Sequence, residues 1–519
     1  MTPNAMASTS HPLSTAAALD ILQQGGNALD AATAAVAVQC VVEPQSTSIG
    51  GDCFCLYAPA DRDEVIAING SGRAPAGMEA SWLREQGFDA IPQQSPHSVT
   101  VPTAVDAWAT LNRDHGKMSL ADILAPSIGY ARDGYAITPR VAFDFAGCFD
   151  LLQGDGDASD VFLPEGRSLE AGDAHRQPAL ARTLSEIAEK GRDGFYKGWV
   201  AEDMLAKLNG LGGTHTQADL DNALATYVTP IKTNYHGYDI WECPPNGQGL
   251  IALLLLNMAE GMDKFGTHPI NLQRIHHEIE AGRLAYRDRS LFLGDPDFVD
   301  VPTETLIGKD YAAQISAMID PHQAMHPLPD CPLPRHKSTV YISVVDKDRN
   351  ACSFINTVYH SFGAGLVAPQ SGVLFQCRGM GFTLEEGHPN CIAPDTRPLH
   401  TSIPGMVKQS GRTVMPFGVM GGEYQAFGHM QFLSRLLDYG MDIQEAQDCP
   451  RFFPDPFSND VEIEAPISDE LFEALKKMGH HVIRPAKPVG GSQGIWIDPK
   501  TNMLIGGSDP RKDGMAAGF

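Results

Sequence analysis

The chain has 519 residues, 43% of them hydrophobic, with 51 Gly and 37 Pro, the composition of a compact, turn-rich enzyme and not of a disordered or fibrous protein. Acidic side chains outnumber basic ones by 63 to 38, for a net charge of −25. With no Lys/Arg stripe or basic tail, nucleic acid and anionic membrane are poor partners. No run reaches about 18 consecutive apolar residues, so no transmembrane helix is expected.

Residues 1–8 show neither a basic n-region nor an apolar h-region, so no signal peptide is read. The 10 cysteines are scattered without CxxC pairs or metal-ligand spacing, which fits reduced thiols and makes a cytoplasmic location the expectation. Residues 15–24 have helical character and stop at Gly25-Gly26. Asn27 can then cap a second helix that runs to Val42 and ends at Glu43, before Pro44. Being apolar on almost every side, this helix belongs in a buried layer, with Asp30 as a carboxylate of its first turn. Residues 52–68 read as strands, followed by a loop over residues 69–75 that carries Arg73.

Helical periodicity returns over residues 119–132 and 177–190, with the acidic, Gly/Asp-rich residues 153–173 as a surface excursion between them. Residues 235–243 read as one strand running into Pro244-Pro-Asn-Gly-Gln-Gly249, which opens an apolar helix over residues 250–258. His276, His277 and Glu278 share a helix, but neighbours on a helix diverge, so zinc is not expected there and no metal or cofactor is called for.

Residues 339–345 and 351–357 are dense in β-branched and aromatic side chains, and Lys347-Asp348-Arg349 between them is a turn. If Asp346 pairs with Asn350, Thr339 lies opposite Thr357 and two hydroxyls share a face, an alignment that a one-residue slip would break. The prolines of residues 321–338 leave an extended, exposed and cleavable approach to Thr339. Further on, residues 414–423 form a strand and a glycine loop, and residues 424–439 an amphipathic helix. The spacing around Gly421 and Gly422 lacks the dinucleotide and phosphate-loop fingerprints, so main-chain donors to an oxyanion are the better reading.

The junction Ser338-Thr339 is joined by colinear blocks: Gly25-Gly-Asn-Ala-Leu-Asp-Ala-Ala, Val42-Glu-Pro-Gln-Ser-Thr-Ser-Ile-Gly-Gly51, Leu293-Gly-Asp-Pro-Asp297, Phe362-Gly-Ala-Gly365, Arg397-Pro-Leu399, Gly421-Gly422 and Ser508-Asp-Pro-Arg511. Together they cover nearly the whole chain and resemble the γ-glutamyltransferase family of N-terminal-nucleophile hydrolases. The resemblance implies an α/β fold, a four-layer αββα sandwich with two stacked, mainly antiparallel sheets. It implies a zymogen that cuts itself between Ser338 and Thr339 into a large fragment, 1–338, and a small fragment, 339–519. The two would form one intertwined domain and a heterodimer, with a dimer of these left open. The catalytic set it implies is Thr339 as nucleophile, the new α-amine as base at an ordinary pKa near ~7.7–8.0, Thr357 bonded to the Thr339 hydroxyl, and Gly421 and Gly422 holding the oxyanion.

Departures from the family pattern bear on the substrate. The block that should hold an amine-binding acid reads Gln376-Cys-Arg-Gly-Met-Gly-Phe382, a serine pair becomes His400-Thr401, an asparagine becomes Tyr359, and the carboxylate-gripping arginine falls at Ser71, with Arg73 two residues on. Val358-Tyr-His-Ser-Phe-Gly363 resembles the amidohydrolase and acylase branch, in particular the oxamate amidohydrolases of purine-nitrogen catabolism. A small carboxylate-bearing amide, oxamate first, is therefore the expected substrate, cleaved to oxalate and ammonia. Arg73 would clamp its carboxylate, and Tyr359, Arg378, His400 and Thr401 would complete the binding set. The alternatives are a γ-glutamyltransferase or glutathione hydrolase, a cephalosporin- or glutaryl-type acylase, and an uncleaved, non-enzymatic relative.

Overall fold

The computed structural model describes residues 1–327 and 339–519; Ser338 lies outside the described residues. Two antiparallel sheets are stacked face to face. The first has seven strands in the order Met515–Gly518, Met6–Thr9, Val340–Val345, Ala351–Thr357, Asp52–Ala58, Ile66–Gly70, Thr226–Val228. The second has six, in the order Leu504–Ser508, Gly491–Ile497, Arg412–Met420, Gly405–Gln409, Tyr238–Glu242, Ile231–Tyr235. Phe54, Leu56, Tyr341, Ile355, Met406 and Ile495 fill the space between them. The approach is close enough that a Cβ on Gly418 would meet the Tyr341 ring at 2.3 Å. Cross-sheet hydrogen bonds run from Ser343 Oγ to Pro416 O (3.1 Å) and from Ser353 Oγ to Phe417 O (3.2 Å).

Helices cover both outer faces. Pro12–Gln23 and Ala28–Val42 lie in the core outside the seven-stranded sheet, and Gly249–Glu260, Leu272–Phe292 and Tyr424–Leu437 in the core outside the other. The result is a four-layer αββα sandwich, as the sequence pattern implied. All fifteen residues of Ala28–Val42 are buried, which explains why its sequence shows no polar stripe. Asn27 and Asp30 cap it reciprocally. The Asp346 carboxylate of the central turn also accepts from the Ala28 N–H at 3.0 Å, tying the helix start to the hairpin.

That hairpin takes the expected register: Val345 faces Ala351 and Val340 faces Asn356. Elsewhere the structure corrects the reading. Residues 235–243 are not one strand, because His236-Gly237, both at positive φ, turn the chain between Ile231–Tyr235 and Tyr238–Glu242. Residues 153–173 are more than a surface excursion: Gly156–Phe162 is helical and its buried Phe162 packs on Phe145 and Phe362. Tyr424–Leu437 has an amphipathic pattern, yet its polar side is buried too. His429 meets Glu242 at 2.6 Å and Gln431 meets the Tyr424 hydroxyl at 2.7 Å. Among the described residues no helix is long and apolar enough to cross a membrane.

Burial lowers the pKa of His11, His175, His215 and His400 to about 4. These rings stay neutral in the fold while an unfolded chain takes up their protons below the ordinary histidine value of about 6.5, so stability falls as pH drops from about 6.5 towards 4. Glu43, pushed up to about 7 chiefly by burial, opposes this, as do Asp30, Glu242 and Asp438, which burial also raises. The urea midpoint is therefore expected to fall steadily between pH 6.5 and 4.5, at a limiting rate of about 1.4 kcal/mol per pH unit for each imidazole. A midpoint that holds level over that range would contradict the burial of these rings.

Candidate active site

Thr339 immediately precedes the strand Val340–Val345, and Thr357 closes the strand Ala351–Thr357. The register that pairs Val340 with Asn356 places their hydroxyls 3.2 Å apart, both residues buried. Thr357 Oγ1 also accepts from the Tyr359 N–H at 3.0 Å, which fixes the acceptor side of that hydroxyl. On the facing sheet, Arg412–Met420 delivers Gly421 and Gly422 at φ +123 and +60. A Cβ on Gly421 would approach Gly490 Cα to 2.8 Å, so only glycine brings this backbone so close. Gln248 Nε2 donates to the Gly422 carbonyl (3.3 Å) and to Thr401 O (3.0 Å), so the Asn-Gly-Gln-Gly loop positions the glycine turn. Gly421 and Thr339 line the same cavity of about 830 Å³. A hydroxyl nucleophile, a second hydroxyl bonded to it and main-chain donors at a helix start are the parts an acyl transfer requires.

Below this lies a buried polar network that the sequence reading missed in part. Asp52 stands opposite Thr357 on the neighbouring strand. Its Oδ1 accepts from the Gly72 N–H (2.7 Å) and Gln376 Nε2 (2.9 Å). Its Oδ2 takes His400 Nε2 at 3.1 Å and lies 3.5 Å from Arg378 Nε. Arg378 is fully buried, donates to Thr401 Oγ1 (3.4 Å) and stacks on the Tyr359 ring at 4.0 Å. Burial and the Arg378 charge keep His400 neutral to about pH 4, against the opposing pull of Asp52. Tyr359, itself at φ +79, has its hydroxyl pushed up to about 12 by burial. Its tip lies beside residue 381, where a Cβ would meet Tyr359 Oη in ordinary contact at 3.4 Å. Arg289, another unanticipated member, pairs with Glu423 and donates to Gln248 Oε1 at 2.9 Å.

Of the expected binding residues, Tyr359, Arg378, His400 and Thr401 thus come together, but as a buried support behind the hydroxyl pair; none of them lines the large cavity. Arg73 does not join them. Its guanidinium is held by Asp295 (3.1 Å), Asp297 (2.6 Å) and the Asp395 carbonyl (2.6 Å), beside a separate small cavity. The expected carboxylate clamp is corrected accordingly: two carboxylates already occupy its donors. The signal that could have found them was the Leu293-Gly-Asp-Pro-Asp297 block itself, which supplies both.

A model of the gamma-glutamyltranspeptidase family matches residues 14–519. The chain belongs to that family. It is similar to the glutathione hydrolase-like YwrD proenzyme of Bacillus subtilis (strain 168), 34% identical over 98% of this chain and 97% of the relative. The oxamate amidohydrolase proenzyme of Klebsiella pneumoniae is 31% identical over 99% and 98%. Among solved structures, the cephalosporin acylase of Bacillus halodurans superposes with a TM-score of 0.94 at 37% identity, over 100% of this chain and 96% of that one. The family, the sandwich and the hydroxyl pair together make this chain an enzyme of the N-terminal-nucleophile hydrolase kind.

The network sets apart two acidic residues that look alike in sequence. Asp52→Ala leaves Arg378 and its neighbours buried without their counter-charge and is expected to cost about 3–5 kcal/mol in urea unfolding. Asp297→Ala, at the half-exposed Arg73 pair, is expected to cost about 0–1 kcal/mol. Similar losses from the two variants would remove Asp52 as the centre of the network.

Proposed function

We propose that this protein is a self-processing amidohydrolase. The chain cuts itself before Thr339, and the freed residue then attacks a carboxylate-bearing amide, with its own α-amine as base and an acyl-Thr339 ester as intermediate. The observation that carries this reading is the 3.2 Å contact between the Thr339 and Thr357 hydroxyls in the cavity that Gly421 also lines. In acylation the Thr339 oxygen bonds to the amide carbon, the α-amine takes the hydroxyl proton and passes it to the departing nitrogen, and the Gly421 and Gly422 N–H groups hold the oxyanion. Water then reverses the sequence and releases the acid.

The cavity guides the choice of amide. At about 830 Å³ it is of the size that encloses drug-sized ligands and far larger than oxamate. Arg140, Arg484, Lys487 and Lys512 stand in its wall beside Asp144, Asp150, Glu423, Asp455 and Glu462. Asp144 and Asp469 occupy the two arginines, whereas no ion pair forms on Lys487 or Lys512 among the described residues. The wall can therefore receive an anion at a distance from the scissile bond, as a glutaryl-type or cephalosporin-type amide would present. A γ-glutamyl ammonium finds no carboxylate partner at Gly381, which has no side chain, so transfer from glutathione is disfavoured. The similarity to a cephalosporin acylase and the loss of the Arg73 clamp both favour the longer acid over oxamate.

Two measurements test this. Thr339→Ala is expected to give one intact, folded, inactive chain on denaturing electrophoresis, while the wild type gives two fragments with Thr339 at a new N-terminus; cleavage of the variant would refute the mechanism. In a hydrolysis panel of glutaryl, butyryl and γ-glutamyl anilides with oxamate, the glutaryl compound is expected to have the highest kcat/KM. Lys512→Met should lower that value about tenfold while sparing the neutral butyryl amide. Preference for oxamate or for the γ-glutamyl anilide would return the substrate to the other branches of the family.

A further inference from the structure

Residues 43–51 link the buried helix Ala28–Val42 to the strand Asp52–Ala58, and three hydroxyl side chains follow one another there: Ser46, Thr47 and Ser48. All three are buried, at 3, 0 and 4% exposure. Two of them serve the fold. Thr47 Oγ1 accepts from Asn356 Nδ2 at 2.8 Å, while Ser48 Oγ donates to Leu374 O at 2.8 Å and accepts from the Gly50 N–H at 3.1 Å. The Ser46 hydroxyl has no hydrogen-bond partner among the described residues, and Ser46 stands in the wall of the cavity that Thr339 and Gly421 share. In a loop whose other hydroxyls are bonded, the one left over beside a nucleophile is placed to bond what enters the cavity.

The loop is pinned at the nucleophile's end of that cavity. The Ser46 and Thr47 N–H groups both donate to Glu43 O (2.9 and 3.1 Å), and Gln45 O accepts from the Phe362 N–H at 3.1 Å. Asn356 Nδ2 donates also to Ser48 O at 3.0 Å, and Asn356 pairs with Val340, the residue after Thr339, and precedes Thr357. Gly51, at the end of the loop, lies so close to Thr357 that a Cβ on it would meet the Thr357 carbonyl at 2.2 Å. Ser46 thus comes to the cavity from the seven-stranded sheet, as Thr339 does, whereas Gly421 and Gly422 come from the facing one.

We propose that Ser46 is a catalytic residue that relays a proton to the departing nitrogen, a role that rests on the acyl-transfer reading above. An acyl carbon held between Thr339 Oγ and the Gly421 and Gly422 N–H groups carries two further substituents. The acyl chain of a glutaryl-type amide begins with methylenes, which have no use for a hydroxyl. The nitrogen has, because it must gain a proton before it leaves as an amine, and a hydroxyl can donate and accept at once. In the tetrahedral intermediate the Ser46 proton passes to the nitrogen, while Ser46 Oγ takes the proton that the Thr339 α-amine removed from its own hydroxyl. The C–N bond then breaks and the amine leaves neutral. Ser46 and the α-amine are both back in the protonation states from which they began.

Ser46→Ala and Ser46→Thr would be compared with the wild type, per cleaved chain, on glutaryl anilide and on the mono-p-nitrophenyl ester of glutaric acid, whose phenolate leaves without a proton. Ser46→Ala is expected to lower kcat/KM for the anilide about tenfold or more and to leave that for the ester within about twofold. Ser46→Thr, which keeps the hydroxyl, is expected to restore most of the anilide rate. Equal losses on anilide and ester, or an unimpaired anilide rate in Ser46→Ala, overturn the relay. The nitrogen expelled in self-cleavage is that of Thr339 itself, so a Ser46→Ala chain that stays whole while Ser46→Thr matures supports the relay in that step; if neither matures, Ser46 is a structural residue and the relay falls. A wild type that hydrolyses no amide refutes the acyl-transfer reading and the relay with it, whereas an active wild type beside an equally active Ser46→Ala removes the relay alone.

Discussion

The site hangs on a buried charge. Asp52 ends the approach to a central strand directly beside Thr357, with no solvent exposure, so its charge has to be balanced by the protein itself. Four residues from three distant segments meet that requirement: Gly72 from the loop after the next strand, Gln376 and Arg378 from the turn around the 3₁₀ helix Arg378–Gly381, and His400 directly after the Arg-Pro-Leu block. Each is drawn to one carboxylate, and each carries a loop with it. The Arg378 end reaches Thr401, Gln248 reaches Thr401 and Gly422, and Arg289 reaches Gln248 and Glu423. A continuous chain of polar contacts thus runs from beneath Thr357 to the glycine turn on the facing sheet. The two halves of the acyl-transfer arrangement, one on each sheet, are held in mutual position through it.

What could be read from the sequence follows the range of the interactions involved. The hairpin register was legible because a short polar turn between two β-branched runs leaves few pairings, and the choice that puts Asp346 opposite Asn350 is also the one in which the Asp346 side chain caps the turn. The Asn27–Asp30 cap was legible for the same reason. Arg73 shows the limit. Its place beside a family-like motif suggested a role, but its partners lie more than two hundred residues away, and nothing local to Arg73 shows that its donors are taken. Asp52, Arg289 and Glu423 escaped notice because a lone charged residue in a strand or helix acquires meaning only from what the fold brings against it. The helix Tyr424–Leu437 was legible as amphipathic, but the burial of its polar side was not, because that side acquires its partners, such as Glu242 for His429, only from another layer.

Two of the residues at which the sequence departs from the family pattern, Tyr359 and Arg378, support each other in the structure. A side chain at residue 381 would lie against the Tyr359 hydroxyl, its Cβ in ordinary contact at 3.4 Å. An asparagine at 359 would leave the Arg378 guanidinium without the ring on which it stacks at 4.0 Å. An uncharged residue at 378 would leave Asp52 with one cation fewer in a fully buried site. Tyr359, Arg378 and Asp52 are therefore mutually dependent. The open volume lies on the other side of the hydroxyl pair, between the helix Pro139–Ala146 and residues 483–490, where Lys487 rests against Phe143 across the mouth. On the proposed function, specificity is set by the wall of that cavity, part helix and part loop, rather than by the buried network beneath the threonines.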